Sequence, residues 1–386
     1  MSIEFKTYHT VKDLPKDEWN GLTSHDVFLQ TQYLDAFEKA CPNTICLYYI
    51  GVFNQNKLIG IAVIQRVELY LKDMFRHDNA SCFKEFVRNT LSKVLKGNIL
   101  VVGNLTHTGQ HGIFFNPFEI SQAIFLNKVF EACEALSKWI ELEKKKTIRL
   151  ILFKDYFKND SIHLNSKAFE SQGFYKLQVQ PNMIMEPKET WLKEQDYVTD
   201  MTTKYRTRFN RARQKRQNII VKELNLENLK HHSNTFYKLY LNVSKNAAFN
   251  TFILPENHFL KLKEHLKDDF KIFGYYLDNQ LIGFYTLIIN NKSLETYFLG
   301  YDCEHQYTNQ LYLNMLYDMA SFAINNRFAS VVYARTAMEI KSSVGAKPKT
   351  MFVYLKCTNN IANAILKPIF NLMNPSQDWE ERHPFK

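Results

Sequence analysis

The chain has 386 residues, 45% of them hydrophobic and 14% aromatic, which is material for two cores of ordinary size. It has no run near the roughly 18 apolar residues of a membrane span and no basic-then-apolar start of a secretion signal, and its six cysteines (41, 46, 82, 133, 303 and 357) show no CxxC pair and no metal spacing, so reduced thiols in a cytoplasmic protein are expected. Net charge is +10, and seven cations between Lys204 and Arg216 stand with no acid among them, so the excess speaks of anionic partners rather than of fold.

In chain order, the first half opens extended and then predicts a helix over 31–40. A hairpin follows, with strands over 47–53 and 57–67. Residues 72–95 carry mixed charge and predict a helical insertion. The short apolar run 99–102 predicts a buried strand, and a Gly-rich loop runs from Gly103 to Gly112. Ile124, Val129, Phe130, Cys133, Leu136 and Ile140 recur at helical spacing over 121–145, ahead of Lys144-Lys145-Lys146, a favourable helix end. A strand is expected over 148–153.

A connector covers 186–203, and the basic segment opens the second half. Helices are predicted over 227–247 and after Pro255, an N1-type proline. Strands follow over 270–277, 280–290 and 294–300. Leu311, Met315, Met319 and Phe322 predict a long helix over 309–326. Then come a strand over 330–334, a short helix over 338–344 and a last strand over 350–355. A final helix over 360–372 is apolar on one face, from Ile361 to Met373, which suits docking on the domain or lying on a membrane surface.

Two stretches repeat. Residues 50–60 align without a gap on 273–283, with a constant offset of 223 at Gly51/Gly274, Leu58/Leu281 and Gly60/Gly283. A second echo joins 169–175 to 342–347: a helix end, a Gly (Gly173 or Gly345), then a strand. The chain reads as a duplicated α/β unit.

The order hairpin, third strand, turn, long helix, strand, short helix, Gly, strand resembles the GNAT acyltransferase fold over about 225–357, and more loosely over about 30–185. Two such units joined through a helical segment resemble Fem-type aminoacyltransferases and the related predicted N-acyltransferases. The run Lys204-Tyr205-Arg206-Thr207-Arg208-Phe209-Asn210-Arg211-Ala212-Arg213 and the ending Gly345-Ala346-Lys347-Pro348 carry that resemblance. GNAT enzymes hold the coenzyme A pyrophosphate with a glycine-bearing loop at a helix N-terminus. Here Gln306-Tyr307-Thr308-Asn309-Gln310 and Leu311 stand there, with Asn309 and Leu311 in place of both glycines. The resemblance implies donor binding by 306–310 and leaves long-chain acyl-CoA, acyl carrier protein and aminoacyl-tRNA open as donors.

Four constellations carry candidate chemistry. On a helix, Lys204, Arg208, Arg211 and Lys215 form one stripe beside an apolar stripe of Tyr205, Phe209 and Ala212. This is either a solvated charged helix or one that faces an anion: a donor phosphate, an acidic lipid surface or tRNA. Acyl transfer to an amine needs a base, oxyanion donors and an acid at the leaving group. The resemblance places Tyr301, Glu304 and His305 beside the thioester, with Glu304 or His305 as base and Tyr301 as acid; helix capping by the acids is the competing reading. Arg335, Glu339 and Lys341 follow a buried strand, with Glu339 either a base or amine-binding carboxylate or a structural partner of Arg335 or a lysine. His107 and His111 lie in the Gly-rich loop, which reads as an acceptor-contacting loop or as plain turn chemistry; the glycines argue against a metal-binding helix face.

The expectation is an α/β protein of two tandem GNAT-like units, 1–190 and 191–386, each a mixed twisted sheet flanked by helices. It would move an acyl group from acyl-CoA or acyl carrier protein, as donor co-substrate without a metal, to an amine acceptor such as an amino lipid. It would work in the cytoplasm, with peripheral contact to an anionic membrane. A Fem-type transferase using aminoacyl-tRNA on a cell-wall peptide precursor is one alternative, although no sustained heptads supply the coiled coil such enzymes commonly carry. A non-enzymatic anion or nucleic-acid binder is the other.

Overall fold

The computed structural model describes residues 3–69, 97–246, 252–364, 366 and 379–386. The readings made for 72–95, for Cys82 and for most of 365–372 lie outside them; residues 360–364 are helical. The strands are β1 Ile3–Tyr8, β2 Ile45–Asn54, β3 Lys57–Leu69, β4 Gly97–Val102, β5 Ile113–Phe115, β6 Ile148–Phe157, β7 Tyr175–Met185, β8 Ile220–Glu223, β9 Phe270–Leu277, β10 Gln280–Asn290, β11 Ser293–Tyr301, β12 Ser330–Val332 and β13 Lys347–Cys357. The chain forms two compact units. One is Met1–Val179 with Ala248–Pro255 and Thr350–Ser376; the other is Gln180–Ala247 with Glu256–Lys349 and Gln377–Lys386.

In the first unit the strand order is β1-β2-β3-β4-β6-β13, with β5 on β3. β4 and β6 are parallel, from Asn98↔Ile148 to Val102↔Phe153. Parallel neighbours need a crossover, and the helix Gln122–Lys144 supplies it. Its Val129, Phe130, Cys133, Leu136 and Ile140 are buried, as the spacing predicts, but Ile124 is exposed and Phe125 is buried instead. Phe130, Phe153, Phe169 and Phe174 interlock beneath it.

In the second unit the order runs from the end of β7 through β12, β11, β10 and β9 to β8. β11 and β12 are parallel over only three pairs, Ser293↔Ser330 to Glu295↔Val332. The helix Leu311–Asn325 is their crossover, and its Leu311, Met315 and Met319 are buried. In sheets of this kind ligands collect beyond the carboxyl ends of parallel strands.

The repeated hairpin recurs in atomic detail. Phe53 pairs with Leu58 and Val52 with Gly60, a bulge that leaves Ile59 unmatched. Tyr276 pairs with Leu281 and Tyr275 with Gly283, the same bulge at Ile282. Gln55 and Asp278, at the same place in each turn, both have positive φ, 55° and 48°. A Cβ on Gly51 would meet Phe53 and Leu58; one on Gly274 would meet Tyr276 and Leu281, the counterpart side chains.

The second echo has a topological consequence. Gly173 (φ 81°) ends the helix Ser166–Ser171 before β7, and Gly345 (φ 102°) follows Met338–Ser342 before β13. These left-handed turns suit glycine. β13 pairs with β6 of the first unit, Met351↔Phe157 through Cys357↔Leu150. Ile184 and Met185 of β7 pair with Val332 and Val331 of the second. The units therefore do not coincide with two consecutive stretches split at 190/191. Two strands delivered by the same local motif satisfy either sheet, and only pairing decides which.

Smaller readings shift as well. The single helix expected over 227–247 is two, Leu226–His231 and Ser233–Asn246. Pro255 precedes the cap Asn257 of His258–Leu266 rather than standing at its first turn. The connector contains the helix Glu194–Asp200. Among the described residues no helix is long and apolar enough to cross a membrane.

Candidate functional site

The basic segment is a helix, Thr203–Lys215. Tyr205, Phe209 and Ala212 are buried in the second unit's core, so the apolar stripe fixes which way the cations face. The seven cations then divide by partner. Arg213 meets Asp318 (Nη1 to Oδ1, 2.6 Å) and Glu194, and Arg216 meets Asp318 (Nη1 to Oδ2, 2.5 Å). Burial alone would lower the Arg213 pKa, but the two carboxylates outweigh it and hold the group above its usual value. Arg206 donates to the carbonyls of Thr199 and Met201, at 3.0 and 2.9 Å, at the end of the preceding helix. The expectation of seven uncompensated cations is corrected here: the acids that answer Arg213 and Arg216 lie 19 to 105 residues away in sequence.

Lys204, Arg208 and Arg211 are different. They line an open pocket of about 610 Å³ within the second unit, together with Gln310, Glu339 and Arg382. Among the described residues none of these three forms an ion pair. Lys215, the fourth of the stripe, is exposed and gives its carbonyl to Asn309 Nδ2 at 3.0 Å.

The far wall is the N-terminal end of Leu311–Asn325. Its cap residue Gln310 is left-handed (φ 49°). Asn314 Nδ2 donates to Ala212 O at 2.9 Å and to Gln310 O at 3.2 Å, tying this end to the basic helix. The positive end of the helix dipole thus adds to the three cations. Gln306 has a local role: its Oε1 accepts the Tyr312 N–H at 3.0 Å. Tyr307 and Thr308 are exposed and do not line the pocket.

Glu339 stands on Met338–Ser342, beyond the end of β12. The structure pairs it with neither Arg335 nor a lysine. Its Oε1 accepts from Arg382 Nε at 3.2 Å and also from Nη2. Lys341 is buried, with Nζ donating to Arg335 O at 2.6 Å and to Ala334 O at 3.4 Å; burial lowers its pKa to about 7. Burial also lowers Arg335, to about 10. Ala334, Thr336 and Ala337 all have positive φ (61°, 67° and 44°), a strained turn that Lys341 holds from beneath.

Glu304 and His305 lie on the short helix Cys303–Thr308, and neither lines the pocket. The capping there is by Asp302, whose Oδ1 accepts the Glu304 N–H at 3.0 Å. Tyr301 ends β11 with its hydroxyl pKa raised by burial, and its carbonyl accepts from Asn242 Nδ2 at 3.3 Å.

His107 and His111 belong to the first unit. His111 Nδ1 is 2.7 Å from Asp26 Oδ2. The His107 ring stacks on Phe28 at 4.0 Å and meets His111 edge-on at 4.8 Å, and both its nitrogens are buried. Lys154 Nζ donates to His107 O at 2.7 Å and pairs with Asp155.

Three sequence-distant candidate sets therefore meet in one pocket: Lys204, Arg208 and Arg211; Gln310; and Glu339. Arg382 is the residue that sequence reading missed. It lies in a tail without periodicity or motif, and only its proximity to Glu339 marks it.

No protein-family model matches this chain, and no curated protein does. Solved structures do resemble it. FemX superposes with a TM-score of 0.56 at 10% identity, over 96% of this chain and 100% of its own. A tandem GNAT protein from the clavulanic acid biosynthesis pathway gives 0.51 at 10% identity, over 93% and 99%. Coverage of 93% or more of every chain, the repeated hairpin and its repeated bulge agree: this protein has a mixed α/β, tandem GNAT fold.

Proposed function

We propose that this protein is an N-acyltransferase that carries an acyl group from a phosphate-bearing thioester, acyl-CoA or acyl carrier protein, to an amine. The observation that carries the reading is the pocket at the N-terminal end of Leu311–Asn325, where Lys204, Arg208 and Arg211 face open space without a carboxylate partner. Unpaired guanidinium groups beside a helix N-terminus suit a phosphate donor. The fold shared with a tandem GNAT protein supports the reaction class.

In the proposed reaction the amine nitrogen attacks the thioester carbonyl carbon. The C–N bond forms, the C–S bond breaks and the thiolate leaves. Glu339, the acid of the pocket lining, takes one proton from the incoming ammonium before attack, and the second proton, lost from nitrogen as the C–S bond breaks, goes to the departing thiolate. Lys341 and the strained turn 334–337 hold Glu339 at the pocket wall. An amino lipid remains the acceptor class we favour, with the exposed Lys215 end of the stripe directed toward an anionic membrane surface. A Fem-type reaction, with aminoacyl-tRNA as donor, uses the same cations and draws support from the likeness to FemX.

The test is amide formation detected by mass spectrometry. Purified protein is given acyl-CoAs of several chain lengths, loaded acyl carrier protein and aminoacyl-tRNA, each with a panel of amines. Amide from a thioester, lost in Arg208→Gln/Arg211→Gln, supports the proposal. Amide only from aminoacyl-tRNA replaces it with the Fem-type reading. No product from any donor, beside an active control enzyme, overturns both.

A further inference from the structure

The segment 379–386 is pinned along the second unit by its backbone. Thr202 N–H donates to Pro384 O at 2.9 Å, and Lys386 N–H to Asp200 O at 3.2 Å. Phe385 sits 4.8 Å from Trp191 and 5.6 Å from Tyr197, over Gly345, where a Cβ would come within 2.7 Å of its ring. Just ahead of these anchors Arg382 N–H donates to Ser342 Oγ at 3.0 Å. The root of Arg382 is therefore fixed.

Its head is not. The guanidinium touches Glu339 through Nε and Nη2, and Glu380 through Nη1 at 2.7 Å. The Arg382 side chain is 26% exposed, and those of Glu339 and Glu380 are 52% and 72% exposed. Ion pairs this wet are weak and readily exchanged. The same guanidinium lines the pocket of Lys204, Arg208 and Arg211, where a phosphate would offer it a stronger, two-pronged contact.

We infer that Arg382 is a fourth anion-binding residue of this pocket, and that its guanidinium exchanges from Glu339 to a bound phosphate, releasing the Glu339 carboxylate for the amine. The inference rests on the phosphate-donor reading above and adds an order to it. Without donor, Glu339 is neutralised by Arg382, and an incoming ammonium must compete with a tethered cation. With donor bound, the carboxylate is open. The donor therefore binds first, and Arg382 acts as a positioning residue for Glu339.

The experiment is calorimetric titration of the full chain with inorganic pyrophosphate, comparing wild type, Arg382→Gln, Arg382→Lys, Glu339→Gln and the Gln/Gln double variant. Thermal unfolding checks that each is folded. Arg382→Gln is expected to weaken binding about tenfold, the loss of one hydrogen bond to a charged group. Arg382→Lys keeps the charge but not the fork and should fall between. Glu339→Gln should tighten binding several-fold, and that gain should shrink when Arg382 is already Gln. Parallel titrations with coenzyme A and with a short RNA ending in CCA distinguish the two sources of phosphate. Unchanged affinity in Arg382→Gln, where Arg208→Gln is weakened, overturns the inference and leaves the proposed function standing. Unchanged affinity in Glu339→Gln overturns the exchange. No pyrophosphate binding in wild type overturns both.

Discussion

Arg213 and Asp318 join the basic helix to the long helix of the second unit, with Nη1 and Oδ1 2.6 Å apart. Asp318 also accepts from Arg216 and from the Tyr275 hydroxyl. One carboxylate thus answers two guanidinium groups and a buried phenol. Asp318→Ala would leave all three without it, at a cost of about 3 kcal/mol. The unfolding midpoint should fall by several degrees, and the Lys204–Arg208–Arg211 face should lose affinity for phosphate as its helix loosens. An unchanged midpoint would show that the pairs do not anchor the helix.

The division of the cations makes a sharper prediction. Arg208→Gln and Arg211→Gln should each weaken coenzyme A binding about tenfold. Neither forms an ion pair among the described residues, so stability should stay within about 0.5 kcal/mol of wild type. Arg206→Gln should do the reverse, because its guanidinium caps the end of Glu194–Asp200 through two carbonyls. Titration and thermal unfolding of the three variants separate the two patterns.

His107 gives the first unit a pH dependence. Burial, then His111, then Lys154 hold its pKa well below the usual 6.5. The fold therefore favours the neutral ring, and this stability is present above the usual histidine value and is lost as pH falls below it. Asp26 adds a second loss further into acid: burial raises its pKa, but pairing with His111 outweighs this and leaves it lowered. The His107 contribution therefore falls as the pH is taken from 7 to 5. His107→Phe, which keeps the stack on Phe28, should flatten thermal stability over that range. An unaltered slope would assign the dependence to other groups.

Two glycines should differ in what they tolerate. A Cβ on Gly300 would lie 2.5 Å from the Leu239 carbonyl carbon and the Tyr240 nitrogen, backbone that cannot swing away. A Cβ on Gly51 would lie 2.7 Å from the edge of the Phe53 ring, which can turn. Gly300→Ala should cost about 3 kcal/mol and Gly51→Ala about 1 kcal/mol. Denaturant unfolding of both reverses or upholds that ranking.

Much of this was legible because it was local. The match of Gly51 and Leu58 to Gly274 and Leu281 foretold the two hairpins, because strand and turn are written within eleven residues; the bulge they share emerges only from the strand pairing. Tyr205, Phe209 and Ala212 faced inward as their spacing required. What failed was long-range. Nothing near Arg213 announces Asp318, and nothing near β13 says that it pairs with β6. Gln306, read at a donor-loop position, accepts the Tyr312 N–H through its Oε1, a contact the sequence does not announce. Glu339 was read either as a base or amine-binding carboxylate or as the partner of a near neighbour; the pair it does make is with Arg382, 43 residues on.

The central claim is that the second unit's pocket holds the phosphate of a thioester donor. The most direct measurement is calorimetric titration of palmitoyl-CoA and acetyl-CoA into wild type and into Arg208→Gln/Arg211→Gln. The account predicts saturable binding by wild type and about a hundredfold loss in the double variant, one hydrogen bond to a charged group for each arginine. Equal affinity in the two proteins, or no binding of any acyl thioester by wild type, would contradict it.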